Sequence, residues 1–335
     1  MITTPNVKIN LGLNILRKRE DGFHDLETLF VPYFGLHDTL EIIAGDDYSR
    51  TSAELFSKYG EAALPSSQGS MKPDGVFGVE ACERTAPKIV QGISEDGKLM
   101  ITIAREEGVD WDPLKDLCAR AYMLLDADFN LPPVKIFLEK TSPVGVGLGG
   151  GSADATFTLK MLNEMFSLGL PEQKLAQYAS RLGSDCAFFI YNRPMIGEGR
   201  GDVLTEFDLG RCLDWARHDK EGVRYDNDVE QDGNESPCDE GTVQYELQVI
   251  TPAGISVSTA EAYGGIVPKQ PSVSLRDALA SPVDRWQDLL VNDFETTVFA
   301  KHPELAAIKR SLYDSGAVYA SMSGSGSALF AIYRK

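Results

Sequence analysis

Apolar residues at Val7, Ile9, Leu11, Leu13 and Ile15 alternate with Lys8, Asn10, Gly12 and Asn14. This period of two predicts a half-buried strand with Lys8 and Asn10 on its polar face. Asp21-Gly22 supplies a turn, and strands are predicted over 26–33 and 38–43. From 45 to 100 the period is broken by Gly, Ser, Pro and charge, with strand patterns only in EACERTAPKIV and KLMITIA. Elaborated loops around an extra hairpin are predicted there. Helical spacing then runs from Pro113 to Leu125, and VKIFLEK at 134–140 returns to strand.

A helix is predicted from an N-cap at Ser152 to about Leu168, with Phe157, Met161, Leu162, Met165 and Phe166 as its apolar stripe and Gly169 ending it. Pro171 opens another that closes near Gly183, and SDCAFFIY at 184–191 begins a turn or short helix with Asp185 at its boundary. Strands are predicted around 246–251 and 317–333, separated by helices at 286–300 and 303–315. The chain is therefore read as α+β.

A length of 335 residues is enough for about two domains. We place them at 1–210 and 246–335, with 211–245 as an insertion between them. From Leu213 to Glu240 there are ten Asp and Glu against three Lys and Arg with almost no aliphatic period, the composition of a solvated segment. The whole chain carries a net charge of −18, which argues against a groove that tracks DNA or RNA phosphates. No apolar run approaches the roughly 18 residues of a bilayer span. The N-terminal MITTPNVKIN has no basic start or apolar core of a secretory signal. Cys82, Cys118, Cys186, Cys212 and Cys238 are widely spaced with no CxxC pair, as expected of reduced thiols in a cytoplasmic protein.

The segment PVGVGLGGGSAD at 143–154 places Gly145, Gly147, Gly149, Gly150 and Gly151 between a strand and a helix. Such a loop lets backbone N–H groups approach an anion, and the helix N-terminus adds about half a positive charge locally. A phosphate cradle is expected despite the negative total. Gly145, Gly147 and Gly150 satisfy GxGxxG, but the position some 20 residues on, where a dinucleotide fold carries its acidic residue, falls at the end of an amphipathic helix. A Walker loop is excluded as well, because Gly151-Ser152-Ala153 contains no lysine.

In order along the chain, PNVKINLGLNI, GFHDLETLF, PVGVGLGGGSADA, RLGSDCAFF and MSGSGSALF resemble the galactose, homoserine, mevalonate and phosphomevalonate (GHMP) kinase superfamily. The nearest likeness is to the branch that phosphorylates the 2-hydroxyl of a cytidine-diphosphate-linked methylerythritol, on the route to isoprenoid precursors. The resemblance implies a two-domain fold, with an N-terminal nucleotide domain like the second domain of ribosomal protein S5 and a C-terminal ferredoxin-like domain. It also implies ATP with Mg2+, a small-molecule acceptor, no nucleic-acid or membrane partner, and a monomer or weak homodimer. Mevalonate-type or homoserine-type acceptors, and a non-catalytic nucleotide-binding protein, are the other readings it leaves open.

By the same resemblance Asp185 is the catalytic aspartate and Lys8 its partner. A carboxylate can orient and accept the hydroxyl proton while an ammonium stabilises the transferring phosphoryl group. On residue pattern alone Asp185 serves equally well as a helix cap and Lys8 as a solvated strand residue. ATP is expected along Pro143, Gly145, Gly147, Leu148, Gly149, Gly150, Gly151 and Ser152. Ser152 also reaches the metal, and Lys140 adds charge from the preceding strand end. The acceptor is expected to meet Asn10, Phe23, His24, Phe30, Thr259, Gly324 and Gly326. Phe23 stands where the branch usually has tyrosine, so stacking is kept and a hydroxyl lost. Asp116 stands where an adenine-side Asn is usual, and an ionised Asp cannot donate as Asn does.

Overall fold

A computed structural model describes residues 1–45, 50–60, 86–209 and 244–335. The expected acidic insertion therefore lies outside the described residues, except for its last two positions. Of the elaborated segment 45–100, only 45, 50–60 and 86–100 are described.

The chain opens with β1 (Ile2–Thr3), β2 (Asn6–Lys18), β3 (His24–His37), β4 (Thr39–Ala44) and α1 (Arg50–Tyr59). It continues through β5 (Ile89–Ile93), β6 (Leu99–Arg105), α2 (Leu117–Phe129), β7 (Val134–Lys140), α3 (Gly150–Met165), α4 (Glu172–Leu182) and α5 (Cys186–Tyr191). Then come β8 (Met195–Gly199), β9 (Val203–Glu206), β10 (Tyr245–Ile250), α6 (Thr259–Tyr263), α7 (Leu275–Ala280) and α8 (Trp286–Leu289). The last elements are α9 (Phe294–Lys301), α10 (Pro303–Asp314), β11 (Tyr319–Met322) and β12 (Leu329–Arg334).

Two compact units result. The first comprises Met1–Pro5, His37–Ser142 and Asp154–Leu182. Its five-stranded sheet has the order β1-β4-β7-β6-β5, parallel only between β6 and β7. The expected extra hairpin is β5–β6. Ile43, Leu55, Ile89, Ala104 and Phe137 form one apolar cluster of this unit. In the same unit the Lys140 ammonium is buried between the carboxylates of Asp38 and Asp154. Burial works against that charge, but the two carboxylates outweigh it and hold the lysine above its ordinary range. Asp38 also accepts from Thr141 N, Ser142 N and the Ser142 hydroxyl, whereas Asp154 Oδ1 is buried without a partner. Burial accordingly pushes the Asp154 carboxyl well up, against the pull of Lys140.

The second unit comprises Asn6–Leu36, Pro143–Ala153 and Gly183–Lys335. It holds a four-stranded sheet, β2-β3-β8-β9, and a three-stranded sheet, β10-β12-β11. Val7, Ile9, Leu11, Leu29, Val31, Ile196, Trp286, Tyr319 and Phe330 lie in one core cluster of this unit. β2 departs from the expected half-buried strand, because Asn6, Lys8 and Asn10 are buried along with the apolar face. The polar face is covered by the glycine loop, whose Leu148 carbonyl accepts from Lys8 N at 2.9 Å.

The expected helix over 286–300 is also broken, between Leu289 and Phe294. There the backbone pairs with β2 instead: Leu13 N donates to Val291 O at 2.7 Å and Asp293 N to Leu13 O at 2.9 Å. Extended pairing with an available strand edge satisfies the same groups that a continuous helix would.

Candidate active site

Every group that follows lies in the second unit unless stated. On β2, Lys8 Nζ donates to Asn10 Oδ1 and, at 3.0 Å, to Gly147 O. It also lies 3.3 Å from Asp185 Oδ2 and 5.4 Å from the Phe30 ring centroid. An ammonium has three protons, and these three oxygens account for them. Asp185 occupies the position before α5 but makes no side-chain capping bond there. Its carboxylate faces Lys8 and receives a 3.4 Å contact from the Ser184 hydroxyl. With 32% of its side chain exposed, it is the member of the pair open to an incoming group.

The glycine loop supplies the second side of the site. Gly147 and Gly149 have φ of +85° and +73°, and a Cβ on Gly149 would sit 3.1 Å from Lys8 Cε. Only glycine lets the loop lie this close to the lysine. α3 starts at Gly150, with Ala153 N donating to Gly149 O at 3.0 Å. Ser152 is thus inside the first turn rather than the cap expected from the sequence. Gly149 takes the cap position, since its carbonyl accepts that first helical bond and glycine is among the residues favoured there. Gly151, like Gly145, is exposed, Pro143 and Ser152 are half-buried, and Leu148 and Gly150 are buried. First-turn amides of a helix point past its end, so this edge can receive a phosphate oxygen.

The terminal glycine segment closes the third side. Ser323 Oγ donates to Gly147 O at 3.1 Å and accepts from Asn10 N at 3.3 Å, and Ala328 N donates to Val146 O at 3.0 Å. A Cβ on Gly324 would lie 3.1 Å from Gly147 O and 3.2 Å from Asn10 Oδ1. Lys8, Asn10, Gly147 and Gly324 therefore form one contiguous cluster, with Ser323 as its unforeseen link. Asn10 differs from expectation: its oxygen is taken by Lys8 and its amide donates to the Thr28 hydroxyl at 3.1 Å. In this geometry it holds Lys8. Gly326 (φ +84°) packs on Met322 in the same segment.

The Asp21-Gly22 turn presents Phe23 at 54% exposure, with the Arg200 guanidinium 5.0 Å from its ring centroid. His24 stacks on Tyr263 at 4.7 Å with 22° between planes, and Tyr263 meets Phe294 edge-on at 4.8 Å. Burial, and then Lys18, hold the His24 imidazole below its ordinary range. The Tyr263 hydroxyl is pushed up by burial and then by the negative charge of Asp185, so the ring stack and the carboxylate share one field. Tyr263 was not singled out from the sequence. The available signal was its place four residues after Thr259 on one short helix, where both project within a turn. Thr259 itself is exposed at the start of α6.

Two expected site residues sit elsewhere. Phe30 is 2% exposed and packs with Phe188, Phe189 and Met195, so it is a core ring beneath the Lys8 ammonium rather than a platform for a base. An aromatic amid an apolar strand run is more readily buried than displayed. In the first unit, the charge of Lys140 is compensated by Asp38 and Asp154 rather than left free for a nucleotide. Asp116, also there, caps α2 through Cys118 N at 2.9 Å and accepts from Trp111 Nε1 at 3.1 Å. Its oxygens hold the helix start and do no donor's work.

Residues 116–193 match the family of GHMP kinases N terminal domains, and 275–335 that of GHMP kinases C terminal domains. The 4-diphosphocytidyl-2-C-methyl-D-erythritol kinase of Bacteroides thetaiotaomicron is 38% identical over 333 residues, covering 99% of this chain and 92% of its own. The enzyme of that name from Cytophaga hutchinsonii is 33% identical, with the same two coverages of 99% and 92%. Among solved structures, a 4-(cytidine 5'-diphospho)-2C-methyl-D-erythritol kinase is similar with a TM-score of 0.62 at 24% identity, over 99% of this chain and 89% of that one. The mevalonate kinase of Methanococcus jannaschii follows with 0.53 at 12% identity, over 100% and 90%. These last two likenesses concern the fold.

Proposed function

The chain belongs to the GHMP kinases and, among them, to the 4-diphosphocytidyl-2-C-methyl-D-erythritol kinases, and from that premise we propose that Lys8 and Asp185 transfer the γ-phosphate of ATP to its acceptor. The acceptor is the 2-hydroxyl of 4-diphosphocytidyl-2-C-methyl-D-erythritol. Asp185 orients that hydroxyl and accepts its proton, because its carboxylate is the exposed member of the pair. Lys8, held by Asn10 and Gly147 O, stabilises the negative charge of the carboxylate and of the transferring group. Little covalent chemistry falls to the protein in such a transfer, and positioning and electrostatics dominate.

The triphosphate lies along Pro143–Ser152, where positive-φ glycines and the start of α3 offer backbone N–H groups. The cytosine binds between Phe23 and the His24–Tyr263 stack, with Thr259 on the same side. Among the described residues no cluster of three or more His, Cys, Asp or Glu is placed to hold a metal. That fits Mg2+ arriving on the nucleotide, with the Ser152 hydroxyl as the protein oxygen that would hold it. The ion would supply neutralisation of phosphate charge there. Among the described residues no helix is long and apolar enough to cross a membrane. We place the enzyme in the cytoplasm as a monomer or weak homodimer acting on a small molecule.

The observation that carries this reading is the Lys8–Asp185 contact braced by the glycine loop. Lys8→Met should abolish ADP formation that depends on the cytidyl alcohol while leaving nucleotide binding in place. Turnover within a few-fold of the parent would remove Lys8 from the chemistry.

A further inference from the structure

The four residues Asn292-Asp293-Phe294-Glu295 reach β2, the terminal glycine segment and the ring under His24 without belonging to any of them. Asn292 is 3% exposed. Its amide donates to Met322 O at 2.7 Å and Gly324 O at 2.8 Å, and its oxygen accepts from Phe294 N at 3.0 Å. Both donors are thus spent on carbonyls that flank the terminal glycine segment. Asp293 accepts from Ile15 N at 2.8 Å on the strand that carries Lys8. Phe294 braces Tyr263, the ring under His24. Glu295 accepts from Met322 N at 2.8 Å and the Ser321 hydroxyl at 3.1 Å.

The break between α8 and α9 thus has a second consequence besides pairing with β2: it aims the Asn292 amide at the turn between β11 and β12, whose own backbone bonds run from Ser323 N to Ala328 O at 2.9 Å and from Gly326 N to Ser323 O at 3.0 Å. A Cβ on Gly324 would lie 3.1 Å from Gly147 O and 3.2 Å from Asn10 Oδ1, which are two of the three oxygens around Lys8 Nζ. Little space separates Gly324 from those oxygens, so a shift of Gly324 toward them presses on the groups that hold the lysine.

We infer that Asn292 is a positioning residue for phosphoryl transfer, acting through Gly324 and Gly147 on Lys8. The inference rests on the proposed kinase reaction for its kinetic readout, but not for its structural one. Asn292→Asp keeps the shape and the acceptor while replacing both N–H donors by an oxygen that faces two carbonyls.

The structural readout is hydrogen–deuterium exchange of peptides spanning 143–149 and 322–328 in the full chain without ligand. Asn292→Asp should speed exchange in both, and unchanged exchange at 143–149 would overturn the inference whatever the acceptor proves to be. The kinetic readout is a split: kcat should fall at least tenfold while KM for the cytidyl alcohol stays within twofold, since the ring stack is untouched. A raised KM with unchanged kcat, or no change in either, would also overturn it.

Should the Asp variant fold poorly, Ser323→Ala removes the next link to Gly147 O and should give the same split. Combined with Asn292→Ser, it should cost less than the product of the two single effects. Full multiplication would mean that the two residues act independently, against the inference. A parent enzyme inactive on this alcohol would refute the acceptor assignment, and the exchange data alone would then decide the role of Asn292.

Discussion

Replacing Gly147 by alanine probes how the two glycine segments hold Lys8. Gly147 has φ +85°, and a Cβ on it would lie 2.2 Å from Ser323 O and 3.1 Å from Gly326 N. A side chain in the left-handed region costs about 1–2 kcal/mol. An ordinary carbon–oxygen contact needs about 3.3 Å, so one segment must retreat by roughly 1 Å, and such overpacking adds about 1–3 kcal/mol. The expected loss of stability is therefore about 2–5 kcal/mol. Gly145→Ala is the internal control, because Gly145 has φ +73° but nothing within 4 Å of its would-be Cβ. It should cost only the conformational part, about 1–2 kcal/mol.

The retreat also moves Gly147 O, which accepts from both Lys8 and Ser323. A displacement of about 1 Å at a reacting group can cost on the order of a hundredfold in rate, so kcat of Gly147→Ala should fall by tenfold or more. Urea unfolding of the parent and the two variants, with steady-state kinetics below the transition, measures both effects. If Gly147→Ala matched Gly145→Ala in stability and kept the parental kcat, the close approach of the two segments could not be what fixes Lys8.

Asp185→Asn should lower kcat by about a hundredfold or more as the proton acceptor is lost. Added to Lys8→Met it should cost little further, because the two act as a unit; multiplicative losses in steady-state kinetics would separate them. Phe23→Ala and Tyr263→Ala should each weaken cytidyl-substrate binding by about 1–3 kcal/mol of stacking with kcat largely kept. Calorimetric affinities unchanged in both would move the base elsewhere. His24 is held below its ordinary range by burial and by Lys18, so it is neutral at pH 7 and protonates only below about pH 6.5. KM for the cytidyl substrate should therefore be flat above that pH and rise as pH falls further, and a rise on the alkaline side would contradict the assignment.

The strand of Lys8 and the helix between Pro171 and Gly183 are legible because period two and proline and glycine punctuation are local signals. β2 runs from Asn6 to Lys18 and α4 from Glu172 to Leu182, close to the alternation and to the Pro171–Gly183 bracket. What local pattern cannot carry is which polar residues a distant loop covers. Lys8 and Asn10 read as a solvated face, yet the Leu148 carbonyl and Gly147 close over them. The burial of Phe30 and Lys140 was hidden for a related reason: a ring or an ammonium looks the same in sequence whether it faces a cleft or a core. The break at 290–293 was hidden because Leu289, Leu290, Val298 and Phe299 keep helical spacing across it, and only pairing with β2 interrupts the helix. Tyr263 and Asn292 were missed because their partners, His24 and Gly324 O, lie 239 and 32 residues away along the chain.

Phosphorus NMR of purified protein with Mg-ATP and 4-diphosphocytidyl-2-C-methyl-D-erythritol, run beside mevalonate and homoserine, tests the proposed reaction most directly. A new monophosphate ester resonance, with stoichiometric ADP, should appear with the cytidyl alcohol alone and vanish in Lys8→Met. An ester formed from mevalonate or homoserine instead, or from the cytidyl alcohol by the Lys8→Met variant at parental rate, would contradict the acceptor or the catalytic pair respectively.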